Sequence, residues 1–465
     1  MTPPDLPAPP SRRGLLLSAA ALAFAGLGAR SALAAEGADI LDQVRGYGPL
    51  RPDPAGVLDL PEGFSYRVLS SAGEVMDDGF LAPDHFDGMG CLPLPDGRLA
   101  LLRNHELDVE RRGLGPAGGQ ADLEARLDAL PGFDRDAGGR RLPGGVTTLV
   151  IDPATGRRER QFLSLAGTVL NCAGGTTPWG SWLSCEETLV SAPRTGASHG
   201  WVFEVPATAQ GPVAPEPLTA MGRFRHEAAA VDPATGAVYL TEDRDDGLLY
   251  RFLPRTPGRL AGGGRLQALA FDGGTDSRNW RTPGLAPGET RTVRWIDLDA
   301  VDSPKDDLRQ RGHAAGAALF ARGEGLHLAL RPDGRPEVFF TCTSGGARRL
   351  GQIFRLVPGA AGGGDALELF LESQDPRVMD YGDNLTVAPW GHLVVCEDRF
   401  GLKANHLKGV TPDGRVYTLA RLRMRTELAG ACFSPDGRFL FVNAYSPGRT
   451  FAIEGPWKAV GEMRG

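Results

Sequence analysis

An all-β fold is predicted by three features of the sequence. The 465 residues include 64 Gly and 37 Pro, and long amphipathic stretches are scarce, which favours short strands joined by tight turns. Six segments share a turn, then four or five mostly apolar β-prone residues, and most reach a polar or acidic tip: PDGRLALLRNHE (95–106), PWGSWLSCEET (178–188), TGAVYLTEDR (235–244), GRPEVFFTCTSGG (334–346), PWGHLVVCEDR (389–399) and PDGRFLFVNAYS (435–446). The residues ahead of each turn recur as well: HFDGMGCLPL (85–94), TVLNCAGGTT (168–177), FRHEAAAVDP (224–233), ARGEGLHLAL (321–330), YGDNLTVAPW (381–390) and ELAGACFSPD (427–436). In each, a polar or charged residue opens a run of small residues, and such a strand can approach a shared axis where bulky side chains collide. Six hairpins of this kind, with further strands beside them, predict a six-bladed β-propeller with short helical insertions.

Taken in order, the chain opens on an address. Ser11-Arg12-Arg13-Gly14 precedes a weakly apolar run, then Arg30 and the small-x-small site Ala32-Leu33-Ala34, the pattern of a twin-arginine export signal over residues 1–34. The run is too short and too rich in Ala and Gly for a membrane span, so no stable membrane anchor is expected after cleavage. The expected location is periplasmic or secreted, with the twin-arginine machinery as a partner. Residues 35–465 read as a single propeller domain.

Outer blade strands are predicted at 146–165, 200–207, 352–359, 366–373 and 409–422, where the residues alternate or carry two strands around a turn. Residues 120–130 and 306–321 are helix-patterned and fall outside the repeat. Four of the six cysteines, Cys185, Cys342, Cys396 and Cys432, lie in apolar strand runs, where a thiol acts as a small buried hydrophobe, and no structural disulfide is expected. The formal charge of −7 becomes about −9 once the leader with Arg12, Arg13, Arg30 and Asp5 is removed, and there is no basic block, which excludes a nucleic-acid partner.

In a propeller the innermost strands start at one mouth of the central channel, so the residues opening the six runs converge: Asp87, Cys172, Glu227, Glu324, Asp383 and Glu427. The strand-end acids Glu106, Glu186-Glu187, Glu242-Asp243 and Glu397-Asp398 lie nearby in their repeats. Carboxylates packed together raise one another's pKa unless counter-charge is supplied, and cations supply it economically. Oxygen-only ligands suit Ca²⁺ or Mg²⁺, while a thiolate among carboxylates also admits iron, manganese or zinc. Cys172 is the better thiolate candidate because its neighbours are polar, the alternative being one more buried small residue. His105, His226 and His406 lack metal-ligand spacing and read equally as structural. Arg322 stands two residues before Glu324, so on an extended strand both point to one face, where a guanidinium beside a metal-bound carboxylate can receive a tetrahedral anion.

These motifs, together with LPEGFSYRVLS near the start and CTSGG and DYGDNL later on, resemble the PhoX-type alkaline phosphatases over essentially the whole mature chain. The resemblance implies a six-bladed propeller with an iron and calcium cluster at the channel mouth that hydrolyses phosphate monoesters, with small phosphate esters as substrates. It implies that Cys172, Glu227 and Glu324 bind iron with one carboxylate of the Glu186-Glu187 pair, Glu187 on spacing. It further implies that Asp383, with Glu106 and Asp398, binds calcium and that Arg322 holds the phosphoryl group. Alternative readings are a metal-dependent phosphodiesterase or lactonase at the same mouth, or a non-catalytic binding propeller.

Overall fold

The computed structural model describes residues 39–282, 284–331, 333–359, 364–399 and 404–457; the leader read at 1–34 lies outside the described residues. All six predicted hairpins form. Their inner strands are Phe86–Pro93, Asn171–Thr176, His226–Val231, Gly323–Leu330, Gly382–Val387 and Leu428–Phe433, and each pairs antiparallel with the strand that follows it. Numbered in chain order, these begin blades 1 to 6. Every inner strand touches the next around the ring, and that of blade 6 touches that of blade 1, so the circle closes.

Packing confirms the count. Six of the hydrophobic clusters each lie between two neighbouring blades, for example Leu183, Cys185 and Val202 against Val238, Leu240 and Phe252 between blades 2 and 3. Both faces of each blade are therefore covered, which explains why their strands are almost continuously apolar rather than alternating. Hydrogen bonding is less regular than packing. The strand Thr290–Asp297 pairs with Gly264–Phe271 of blade 3 and with Asp365–Glu372 of blade 4, so these two blades form one nine-stranded sheet. Blade 6 takes its outermost strand, Ser65–Ser71, from near the start of the chain, paired with Arg449–Glu454. Leu58–Pro61 likewise adds to Val416–Leu422 of blade 5.

The small residues of the inner strands have the use expected of them. A Cβ on Gly88 would meet the Ala173 Cα at 2.6 Å, one on Gly175 the Ala229 carbonyl oxygen at 1.9 Å, and one on Gly325 the Leu385 nitrogen at 2.6 Å. Backbone lies on backbone at the axis, leaving a cavity of ≈ 260 Å³ between the strands.

Both expected helices form, but the second is shorter than its pattern. Ala121–Asp128 buries Leu123 and Leu127. Leu308–Ala314 stops before Gly316, whose φ of +99° suits a chain leaving a helix, and Leu319 and Phe320 then bridge to Asp276 and Gly247 instead of continuing it. None of the described helices is long and apolar enough to cross a membrane.

Replacing Gly175 by Ala pushes the inner strands of blades 2 and 3 apart and is expected to destabilise the fold by at least about 1–3 kcal/mol. A thermal or urea unfolding comparison with the wild type measures it.

Candidate metal centre

One irregularity recurs at the start of every inner strand. Between Phe86 and Met89, Asn171 and Gly174, His226 and Ala229, Gly323 and Leu326, and Gly382 and Leu385 the pairing register slips, and in blade 6 it slips between Ala429 and Cys432. A bulge re-aims the side chains next to it. The second residue of five of these strands, Asp87, Cys172, Glu227, Glu324 and Asp383, sits at that bulge.

A second repeated contact frames the mouth. The residue just past each second strand donates its N–H to the carbonyl of the residue just before the inner strand: Glu106 to His85, Glu187 to Leu170, Asp243 to Arg225, Thr343 to Arg322, Asp398 to Tyr381 and Tyr445 to Glu427, at 2.8–3.2 Å. Each blade thus brings three positions to the mouth, one before the inner strand, one at its second residue and one past the second strand, although in blade 2 the first of them, Leu170, packs its side chain against Val109, Leu142 and Val169.

This frame settles the paired acids. Strand residues alternate between faces, so the first of each pair turns into the blade and the second reaches the mouth. Glu186 accepts from His199 Nδ1 at 2.7 Å and from the Val169 and Gly200 amides at 3.1 and 3.0 Å. Glu242 accepts from Tyr250 at 2.7 Å, and Glu397 pairs with His406 at 2.7 Å. Glu187, Asp243 and Asp398 take the other face. Glu242 and Glu397, expected near the mouth, are therefore structural carboxylates of their blades.

Two further expectations are corrected. Glu427 does not stand where Asp87 stands; Ala429 holds that place, and Glu427 comes from the position before the strand. It still reaches the cluster, beside Asp398 and Asp383. Arg322 is not on extended backbone: its φ is +56°, left-handed, and so are those of His85, Leu170 and Tyr381 in the same place of their blades. Non-glycine residues held there carry strain that surrounding structure must offset. Arg322 and Glu324 nevertheless meet, Nη2 to Oε1 at 2.6 Å.

All the expected ligand residues come together. Four overlapping groups, Asp87–Glu106–Cys172, Cys172–Glu187–Glu227, Glu227–Glu324–Asp383 and Asp383–Asp398–Glu427, each offer ligand atoms within 4.8 Å of one another. The Cys172 Sγ lies 3.1 Å from Glu227 Oε1 and 3.6 Å from Asp87 Oδ2. Burial, followed by mutual repulsion, holds Asp87, Glu187, Glu227 and Glu427 well above the usual carboxylate range, and Asp383 is pushed up to about 8. The Cys172 thiol is raised by the same causes. Among the described residues, Glu227 Oε2 and Asp383 Oδ1 are buried with no hydrogen-bond partner. Buried anionic oxygens left bare are costly, and multivalent cations fit this donor set.

The histidines do not join. His105 is buried between the Asp84 carbonyl and Thr147 Oγ1 at 3.1 and 2.8 Å, and His226 stacks on Phe224 with Nε2 2.9 Å from the Gly222 carbonyl. The sequence reading passed over Arg225 and Tyr445. Arg225 Nη2 lies 2.6 Å from Glu187 Oε1, and the Tyr445 hydroxyl donates to Glu106 Oε2. The signal for Arg225 was present: Arg225-His226-Glu227 aligns with Arg322-Gly323-Glu324.

The comparisons agree with this architecture. Pseudomonas fluorescens PhoX in complex with vanadate, a transition-state analogue, superposes with a TM-score of 0.65 at 20% identity, over 90% of this chain and 98% of that one, which shows the propeller fold. A gluconolactonase of Xanthomonas campestris aligns over 89% of this chain and 99% of that one at 13% identity, with a TM-score of 0.40. No curated protein matches the chain. The family described as alkaline phosphatase PhoX matches residues 45–448, nearly the whole described ring. The chain accordingly belongs to the PhoX family of alkaline phosphatases and is a phosphoric ester hydrolase.

Proposed function

We propose that the chain hydrolyses phosphate monoesters at the propeller mouth, with iron and calcium held by the acidic cluster. The observation that carries this is the run of four overlapping ligand groups, one end of which contains a thiol and the other only oxygens. Cys172, Glu187, Glu227 and Glu324 suit iron, and Asp383, Asp398 and Glu427 suit calcium, while Glu106, expected beside Asp383 and Asp398, groups instead with Asp87 and Cys172 at the thiol end. Bound cations there supply Lewis-acid charge for the phosphoryl oxygens. The binding of vanadate by the Pseudomonas fluorescens protein supports a phosphoryl site on this fold.

The chain's own residues orient the substrate. Asp243 holds Arg322 through two bonds, Nε to Oδ1 at 2.8 Å and Nη2 to Oδ2 at 3.1 Å, so the guanidinium is fixed at the mouth before any ester arrives. Glu324 and Asp243 keep it charged. A preset cation of this kind stabilises charge on a transferring phosphoryl group without reorganising during the reaction. The twin-arginine motif supports export of the folded enzyme to the periplasm or beyond, with residues 35–465 forming the mature propeller.

Replacing Arg322 by Ala is expected to lower kcat/KM on a phosphate monoester by about 10²–10³-fold with cation content unchanged. Steady-state kinetics and elemental analysis of the same sample test it, and unchanged kinetics would overturn the role. Cys172→Ala is expected to lose iron while keeping calcium, as read by elemental analysis. Because protons occupy the raised carboxyls at low pH, cations must displace them. Calcium affinity measured by calorimetry is therefore expected to rise between about pH 6 and about pH 9, with proton release that diminishes above the Asp383 pKa.

A further inference from the structure

Arg225 and Arg322 are the same position of the repeat in blades 3 and 4. Each lies immediately before an inner strand and two residues ahead of that strand's acid, Glu227 or Glu324. Each backbone carbonyl accepts from the residue past the second strand, Asp243 at 3.2 Å and Thr343 at 3.0 Å. Each guanidinium also reaches back to the strand-end carboxylate of the preceding blade. Arg225 Nη2 is 2.6 Å from Glu187 Oε1, and Arg322 Nε is 2.8 Å from Asp243 Oδ1. The other blades place His85, Leu170, Tyr381 and Glu427 there, so only blades 3 and 4 bring an arginine to the mouth from this position. The two guanidinium side chains are 33% and 26% exposed while their partners are 10% and 9% exposed, so a solute at the mouth meets the arginines first.

What holds the two arginines differs. Arg322 is shared between Asp243, which belongs to none of the four ligand groups, and Glu324, which belongs to one. Glu187, the one carboxylate paired with Arg225 among the described residues, belongs to the group with Cys172 and Glu227, so that only Arg322 keeps a carboxylate partner outside the groups. A cation on Glu187 competes with Arg225 Nη2 for that carboxylate, while Nε keeps the Glu187 carbonyl at 3.3 Å, so the guanidinium stays tethered with Nη2 free to bond a solute. We propose that Arg225 is a second phosphoryl-binding residue that works beside Arg322, and that cation loading of Glu187 makes it available. Two guanidinium groups on adjacent blades can grip separate oxygens of one tetrahedral anion. The proposal rests on the mouth being the phosphoryl site.

The test uses the cation-loaded full chain with inorganic phosphate as probe. Arg225→Gln is expected to weaken phosphate binding about tenfold or more by calorimetry, with cation content unchanged, and Arg225→Lys to recover part of the loss. In the wild type, phosphate is expected to shield both Arg225 and Arg322 from phenylglyoxal, as read by peptide mapping, a measurement that needs no variant to fold. Phosphate affinity within about twofold of wild type in Arg225→Gln, with a loss in Arg322→Gln, overturns the role of Arg225 alone. Shielding of Arg322 without Arg225 does the same, and so does loss of cations from Arg225→Gln, which would make it a counter-ion of the cluster. No effect on phosphate binding from either arginine overturns the mouth as the phosphoryl site.

Discussion

Negative charge crowded into a buried ring mouth is the constraint on which the site depends. Asp87, Glu187, Glu227 and Glu427 are held far from their ordinary ionisation by burial and by one another. Such a cluster is stable only with protons or cations to offset it. Arg225 and Arg322 offset part of the charge at blades 3 and 4. Among the described residues, no cationic side chain pairs with Cys172, Asp383 or Glu227, the mouth arginines being taken by Glu187, Asp243 and Glu324. The fold thus leaves a charge deficit in one place, and the phosphatase chemistry of the family is matched to it.

The frame that creates this crowding is a backbone device. Six inner strands meet with carbonyls and Cα atoms in contact, which requires small residues such as Gly88, Gly175 and Gly325. A register slip near the start of each strand then turns one side chain toward the axis. Three positions per blade, repeated with different residues, build a site with no internal symmetry. Blade 1 offers His85, Asp87 and Glu106, whereas blade 4 offers Arg322, Glu324 and Thr343.

Much of this was legible in the residues because the repeat is local. A turn, a β-prone run and a small-residue run occur together within about twenty-five residues, so all six hairpins could be read directly. That Glu187 rather than Glu186 takes the mouth face agrees with the spacing, and alternation explains it. The bulge was not legible. It depends on which partner carbonyl each amide finds, so Glu427 was assigned to the place that Ala429 occupies, and Arg322 was given an extended backbone it does not have. The outer strands Leu249–Pro254 and Gly264–Phe271 of blade 3 also escaped, since neither alternates cleanly. Ser65–Ser71 carries no local sign of its partner, which lies at the other end of the sequence.

That last pairing orders events in time. Arg449–Glu454 and Ser65–Ser71 are joined edge to edge, so the final blade is incomplete until a strand nearly four hundred residues further along the chain has left the ribosome. Contacts so distant along the chain form slowly. Until they do, the circle stays open between its first and last members, and Asp87 and Glu427 have no fixed geometry relative to each other. Whatever ions this protein carries can be gathered into one centre only after the strand Arg449–Glu454 has been made.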